Sequence, residues 1–237
     1  MAIDKNKTMN GFNLKKGLFW VAITLSLGFL SAWTSFKPMR IIFFGDSITQ
    51  MGVDEGGYIW RIQQYLQQSG NDNKVELMGS GIGGNKVYDL YLRIEEDVLS
   101  RQPDIVFVFI GVNDVWHKSS LGTGTDLDKF EKFYQAIIQK LLKAHIKPIL
   151  VTPAGIGELK GNANPQDADL NTYSAVIRKL ATQHQLTLVD LRKQWIDYQE
   201  VHNTSNSEQG ILTTDRVHLN HKGNEWAAQA MLKALGL

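Results

Sequence analysis

No cysteine occurs anywhere in the 237 residues, which excludes disulfides, a thiolate zinc site, a lipidated cysteine and a cysteine nucleophile together. Charge of one sign is also missing. The formal net charge is +1, and because Lys5, Lys7, Lys15 and Lys16 against Asp4 give the first sixteen residues +3, the remainder sums to −2. A slightly acidic body has no concentrated basic surface to follow a phosphate backbone, so no nucleic-acid partner is expected. Internal repeats and low-complexity linkers are absent too. What is present, 43% hydrophobic and 21% charged residues, suffices for one good-sized α/β domain or at most two small ones.

The first segment does not read as globular. Behind the lysines stands an uncharged run from Gly17 to Phe36, GLFWVAITLSLGFLSAWTSF. A positive start followed by an apolar run reads as an export signal or an uncleaved membrane anchor. Its length sits at the border of the about 20 apolar residues that a helical span needs. Cleavage near Ala32 is weakly supported, with Trp33 beside it and no A-x-A pattern. A buried N-terminal helix is the alternative, and the lack of a polar face argues against it. The expectation is a leader or membrane attachment over residues 1–36, one domain over 37–237, and a place outside the cytoplasm: periplasmic, extracellular or membrane-anchored facing outward.

From Met39 onward, short apolar runs alternate with amphipathic stretches. Strands are expected at Ile41–Phe44, Val75–Met78, Ile105–Ile110, Pro148–Thr152 and Leu186–Val189. Helices are expected at Tyr58–Gln68, Leu90–Leu99, Leu127–Ala144, Ala168–His184 and His221–Leu235. The run IVFVFI from Ile105 is apolar at every position, as a central parallel strand requires. This alternation predicts a parallel sheet with helices on both faces. The longest irregular stretches are Trp116–Asp126 and Asn203–Thr214, both after the carboxyl ends of inferred elements, where open α/β sheets hold ligands.

Four segments carry the chemistry. Gly45-Asp46-Ser47-Ile48-Thr49 follows the first strand; the glycine permits a sharp turn, and the serine then presents its hydroxyl and its N–H at the sheet edge. A plain helix cap at Asp46 or Ser47 is the simpler account of that segment alone. Gly79-Ser80-Gly81-Ile82-Gly83-Gly84-Asn85 follows the second strand, and its glycines let a backbone N–H approach a ligand. Gly111-Val112-Asn113-Asp114 follows the third, where Asn113 is either an amide donor or an ordinary turn residue. Asp215-Arg216-Val217-His218 precedes the last helix. An imidazole can take a serine proton near neutral pH, and a carboxylate on its far nitrogen fixes the tautomer.

In this order the segments resemble the SGNH (GDSL-type) hydrolase family. GDSIT matches its nucleophile block at Ser47, GIGGN its glycine block with the donor at Gly84, and GVND its asparagine block at Asn113. DRVH followed by LNHKGN matches its final block at Asp215 and His218. The resemblance runs from about Arg40 to the C-terminus. It implies a flavodoxin-like three-layer α/β/α fold with five strands in the order 2-1-3-4-5, and neither a metal nor an organic cofactor. It also implies ester hydrolysis by a Ser47–His218–Asp215 triad. The oxyanion hole would combine the N–H groups of Ser47 and Gly84 with the Asn113 side chain. Gly79 and Asn85 depart from the family's usual residues, so some local hydrogen bonds are expected to differ.

Rival readings are weaker. Gly79, Gly81 and Gly84 spell G-x-G-x-x-G, but no acidic residue ends the next strand, as a dinucleotide site requires. Asp215, His218 and His221 could bind zinc, although His221 reads as a solvent-facing helix start. Asp190 competes with Asp215 as the orienting acid. A non-catalytic, anchored glycan-binding module would not need the full set of residues. His117 and Trp116 are candidates to line the cleft, and Tyr58 and Trp60 suggest further aromatic lining. Among ester substrates, small molecules and glycans, a carbohydrate O-acetyl ester is favoured over a lysophospholipid or thioester, because no long hydrophobic lid lies between the blocks. The oligomeric state is not legible.

Overall fold

The apolar runs form one five-stranded parallel sheet in a computed structural model that describes residues 37–236; the expected leader or anchor over 1–36 lies outside the described residues. The strands are β1 (Met39–Gly45), β2 (Val75–Gly81), β3 (Ile105–Phe109), β4 (Lys147–Val151) and β5 (Thr187–Val189), in the order β2-β1-β3-β4-β5. This is the topology expected from the sequence. The helices are α1 (Ser47–Met51), α2 (Tyr58–Gln68), α3 (Val87–Asp97), α4 (Val112–Ser120), α5 (Leu127–Lys143), α6 (Asp167–Gln183), α7 (Leu191–His202) and α8 (His221–Leu235). α2 and α8 pack together, while α3, α5 and α6 form a second packed row, giving the three layers. No helix among the described residues is long and apolar enough to cross a membrane.

Burial explains the central strands. Ile41–Phe44 and Val106–Val108 are fully covered, and Phe43 stacks on Phe107 with ring centroids 4.8 Å apart. Each buried side chain of this size contributes about 1.5–3 kcal/mol. β2 runs three residues past its expected end, because Gly79–Gly81 still pair in register with Phe43–Gly45. Gly45 thus stands level with Gly81 on one side and Phe109 on the other. A Cβ at Gly45 would lie 2.4 Å from the Phe109 carbonyl oxygen, so the turn into α1 accepts only glycine. The chain goes from β1 outward to β2, then returns to β3 on the far side of β1. That reversal opens a crevice at the carboxyl ends of these strands.

Three helices were not among those expected: α1; α4, inside which the stretch Trp116–Asp126, expected to be irregular, begins; and α7. α7 turns Leu191, Trp195 and the polar Arg192 and Gln199 inward. The Arg192 guanidinium is covered because it meets Asp167 at 2.7 Å, Asn171 at 2.7 Å and the Ala154 carbonyl at 3.0 Å.

Candidate active site

Asp46 caps α1 through a 3.0 Å bond from the Ile48 N–H to its Oδ1, and this cap places Ser47 at the first helical position. The helix-cap account is therefore true of Asp46 and leaves the Ser47 hydroxyl free. That hydroxyl lies 2.9 Å from His218 Nε2, and His218 Nδ1 lies 2.7 Å from Asp215 Oδ2. The other Asp215 oxygen accepts the backbone N–H groups of Val217 at 3.1 Å and His218 at 2.8 Å. Partial burial alone would raise the Asp215 carboxyl. The His218 ring and the two backbone donors outweigh it and hold the group below the usual carboxylate range. An ionised Asp215 keeps a proton on Nδ1 and leaves Nε2 able to accept the serine proton.

The loop carrying this pair is secured from both sides. Thr213 and Leu219 form an isolated antiparallel bridge across its base, and the Thr214 N–H donates to the His218 carbonyl at 2.9 Å. Beneath it lies Glu158, fully buried. Its Oε1 accepts the N–H groups of Leu212 and Thr213 at 2.7 Å and the Thr213 hydroxyl at 2.8 Å, and its Oε2 accepts the Ile211 N–H at 2.7 Å.

The candidate oxyanion donors lie at neighbouring strand ends. Gly84 adopts φ +76°, a left-handed backbone natural to glycine, in the loop after β2. The preceding Gly83 N–H is bound to Gln50 Oε1 at 2.7 Å, which ties that loop to α1. Asn113 is buried in the first turn of α4, and its amide donates to the Asn85 carbonyl at 3.1 Å, leaving its second N–H unused. The altered hydrogen bonding expected at Asn85 takes a definite form. Its side-chain oxygen accepts Arg93 Nε at 2.8 Å.

Sequence reasoning missed Arg93, which lies on α3 outside every motif. Its Nη2 donates to the Gly45 carbonyl at 2.8 Å and the Ser80 carbonyl at 3.2 Å. Its Nη1 reaches Ser80 Oγ at 2.8 Å and also Asp97, and the guanidinium lies 4.5 Å over the Phe44 ring. One side chain thus joins the ends of β1 and β2 to the glycine loop. Glu158 was missed as well. Glu158 had one signal, an ionisable residue inside a turn-like stretch, whereas Arg93 stood among the charges of an ordinary amphipathic helix.

Two buried carboxylates back the site. Burial pushes Asp46 up to about 7, reinforced by the nearby Asp114 charge, against the opposing pull of the Ile48 N–H and of His218. Burial likewise raises Asp114 to about 6, although it accepts the Val87 N–H at 3.2 Å and faces Lys86. His117 lies beside the glycine loop, with its Cε1 3.8 Å from where a Gly84 Cβ would stand. Burial, and then the Lys86 charge, lower its pKa. Trp116 stands half-buried with its ring centroid 5.7 Å from that of His117.

Other expectations sort themselves plainly. Asp190 is paired with Arg178 at 2.7 and 2.8 Å and does not meet His218, so it is a structural strand-end residue. Tyr58 does not line a cleft: it is a core residue, its hydroxyl 3.0 Å from Thr49 Oγ1. Trp60 lines a separate surface groove with Arg61 and Glu225. His221 is exposed at the start of α8, as expected. Among the described residues, no group of His, Asp and Glu is arranged to hold a metal ion.

The chain is similar to known proteins in sequence and in fold. A family model described as the GDSL-like lipase/acylhydrolase family matches residues 43–226. The crystal structure of an acetyl xylan esterase, AlAXEase, is similar at 58% identity and a TM-score of 0.82, covering 83% of this chain and all of that one. The acetylxylan esterase of Geobacillus stearothermophilus is 31% identical over 214 residues, 83% of this chain and 94% of that protein. An uncharacterised lipoprotein of Bacillus subtilis, YqeF, is 24% identical over 206 residues, 77% of this chain and 84% of that protein.

Proposed function

The chain belongs to the GDSL-like lipase/acylhydrolase family and hydrolyses esters; from that premise we propose that it is a carbohydrate O-acetyl esterase acting through Ser47, His218 and Asp215. The observation that carries the chemistry is the unbroken hydrogen-bonded line of hydroxyl, imidazole and carboxylate at 2.9 and 2.7 Å. His218 Nε2 takes the proton as Ser47 Oγ attacks the acetyl carbonyl. The oxyanion is received by the Ser47 and Gly84 N–H groups and the free Asn113 amide hydrogen. The imidazolium, steadied by Asp215, protonates the departing sugar hydroxyl, and water then repeats the sequence on the acetyl-enzyme. Similarity to two acetylxylan esterases supports an acetylated xylan or xylooligosaccharide as substrate. Export, with the residue 1–36 segment as leader or anchor, is part of the same reading; it is supported by the apolar run and by one relative named as a lipoprotein.

The test is acetate release from acetylated xylooligosaccharides beside a chain-length series of p-nitrophenyl esters. The expectation is preference for acetyl and a loss of about 10⁴-fold or more in kcat for Ser47→Ala. Full activity in folded Ser47→Ala would sink the mechanism. A sharp preference for long acyl chains would favour the lysophospholipase or thioesterase reading, and no hydrolysis at all would favour a glycan-binding module.

A further inference from the structure

We propose that the cavity between the Asp215–His218 loop and α4 is a sugar-hydroxyl subsite, which takes one hydroxyl of the pyranose whose acetyl group meets Ser47 and recognises it through Gln166 and Arg216, with the ring outside it against Trp116. The inference rests on the carbohydrate-esterase reading above and goes further by assigning the residues that select the alcohol half of the ester. The cavity encloses about 60 Å³ and is walled by Trp116, Ile156, Gln166, Asp215, Arg216 and Val217. Asp215 holds the proposed base, and Trp116 stands on α4 one turn beyond the oxyanion candidate Asn113.

Two of the walls carry hydrogen-bonding atoms that the protein leaves unused. Gln166 donates from Nε2 to Ser119 Oγ at 3.1 Å, while its Oε1 is buried without a partner. Arg216 Nε is also buried without a hydrogen-bond partner, since Glu208 Oε2, at 3.9 Å, is too distant to accept. A buried acceptor and a buried donor at one cavity are costly unless something completes them. A hydroxyl completes both, donating to Gln166 and accepting from Arg216. Trp116 offers an indole face for the apolar side of a sugar ring.

The backbone supplies an independent argument. Arg216 sits at φ +80°, where a non-glycine residue is uncommon. Its carbonyl accepts the Gly157 N–H at 2.8 Å, which locks that conformation. That bond fixes where the Arg216 side chain leaves the loop, at the wall of the cavity.

The test compares kcat/KM on an acetylated xylooligosaccharide with that on p-nitrophenyl acetate, for wild type and for Gln166→Leu, Gln166→Glu, Arg216→Lys and Trp116→Ala. Both Gln166 variants lose the bond to Ser119, but only glutamate keeps an acceptor at the cavity. The sugar-to-nitrophenyl ratio should fall about tenfold in Gln166→Leu and Arg216→Lys, mainly through KM, and recover largely in Gln166→Glu. A fall as deep in Gln166→Glu as in Gln166→Leu overturns the subsite, as do unchanged ratios in Arg216→Lys and Trp116→Ala while wild type still deacetylates the sugar. Wild type that cleaves the nitrophenyl ester but no acetylated sugar overturns the carbohydrate reading, and the subsite falls with it.

Discussion

Replacing Arg93 with methionine removes a guanidinium that holds two strand ends and the glycine loop together without touching the triad. The chain length is nearly conserved, so the loss is mainly of hydrogen bonds: to the Gly45 carbonyl at 2.8 Å, to Ser80 at 2.8 and 3.2 Å, to Asn85 Oδ1 at 2.8 Å, and to Asp97. The Arg93 side chain is 14% exposed and that of Asp97 25%, so solvent partly compensates and the stability loss should be about 2–4 kcal/mol rather than the full cost of breaking a buried pair. The kinetic effect passes through Asn85, whose carbonyl accepts the Asn113 amide. If Asn85 drifts, Asn113 loses its aim. Removing an oxyanion donor outright costs about 10²–10³ in kcat, so misaiming one should cost about 10–100-fold. Steady-state hydrolysis of p-nitrophenyl acetate well below the variant's unfolding midpoint, with urea titration for stability, measures both effects. kcat should fall while KM stays within about twofold, and Arg93→Lys should recover part of kcat. A folded Arg93→Met with wild-type kcat would refute the linkage from α3 to the oxyanion donors.

Asn113→Ala should keep its fold and lose about a hundredfold in kcat, with KM little changed; a kcat within threefold of wild type would remove Asn113 from the oxyanion hole. Asp46→Asn keeps an N-cap but cannot ionise. Because folding raises the Asp46 pKa to about 7, its contribution is complete below the unfolded value near 4 and is lost as pH climbs through 7. Urea unfolding should therefore show the variant gaining on wild type between pH 4.5 and 7.5 by on the order of 2–4 kcal/mol, and a difference independent of pH would contradict the burial argument. Glu158→Gln puts an amide hydrogen where the carboxylate accepts four bonds. A loss of about 3 kcal/mol in stability and a lowered kcat are expected by the same two assays.

The sequence showed the sheet order through the family resemblance and most elements through periodicity. Tyr58–Gln68 and His221–Leu235 match the structure residue for residue, because each has a single apolar face and a clear stop. α7 was hidden because Arg192 and Gln199 occupy inward positions, and a buried ion pair erases the apolar period that marks a helix. β2 looked short because glycines at its end carry no side-chain signal although their backbones still pair. The triad candidates were legible because they stand in short segments, GDSIT and DRVH, whose residue types and order match the family's blocks. Arg93 and Glu158 were not, since their roles depend on acceptors and donors as many as 55 positions away along the chain.

The bridge between Thr213 and Leu219 makes the Asp215–His218 turn a closed hairpin in which acid and base are bound to one another and to their own backbone. The spacing of carboxylate and imidazole is therefore set inside the hairpin, and its reach to the Ser47 hydroxyl is set by how the hairpin is seated on Glu158 and Gly157. Loosening that seat would lengthen the reach to the hydroxyl while leaving the carboxylate–imidazole pair intact.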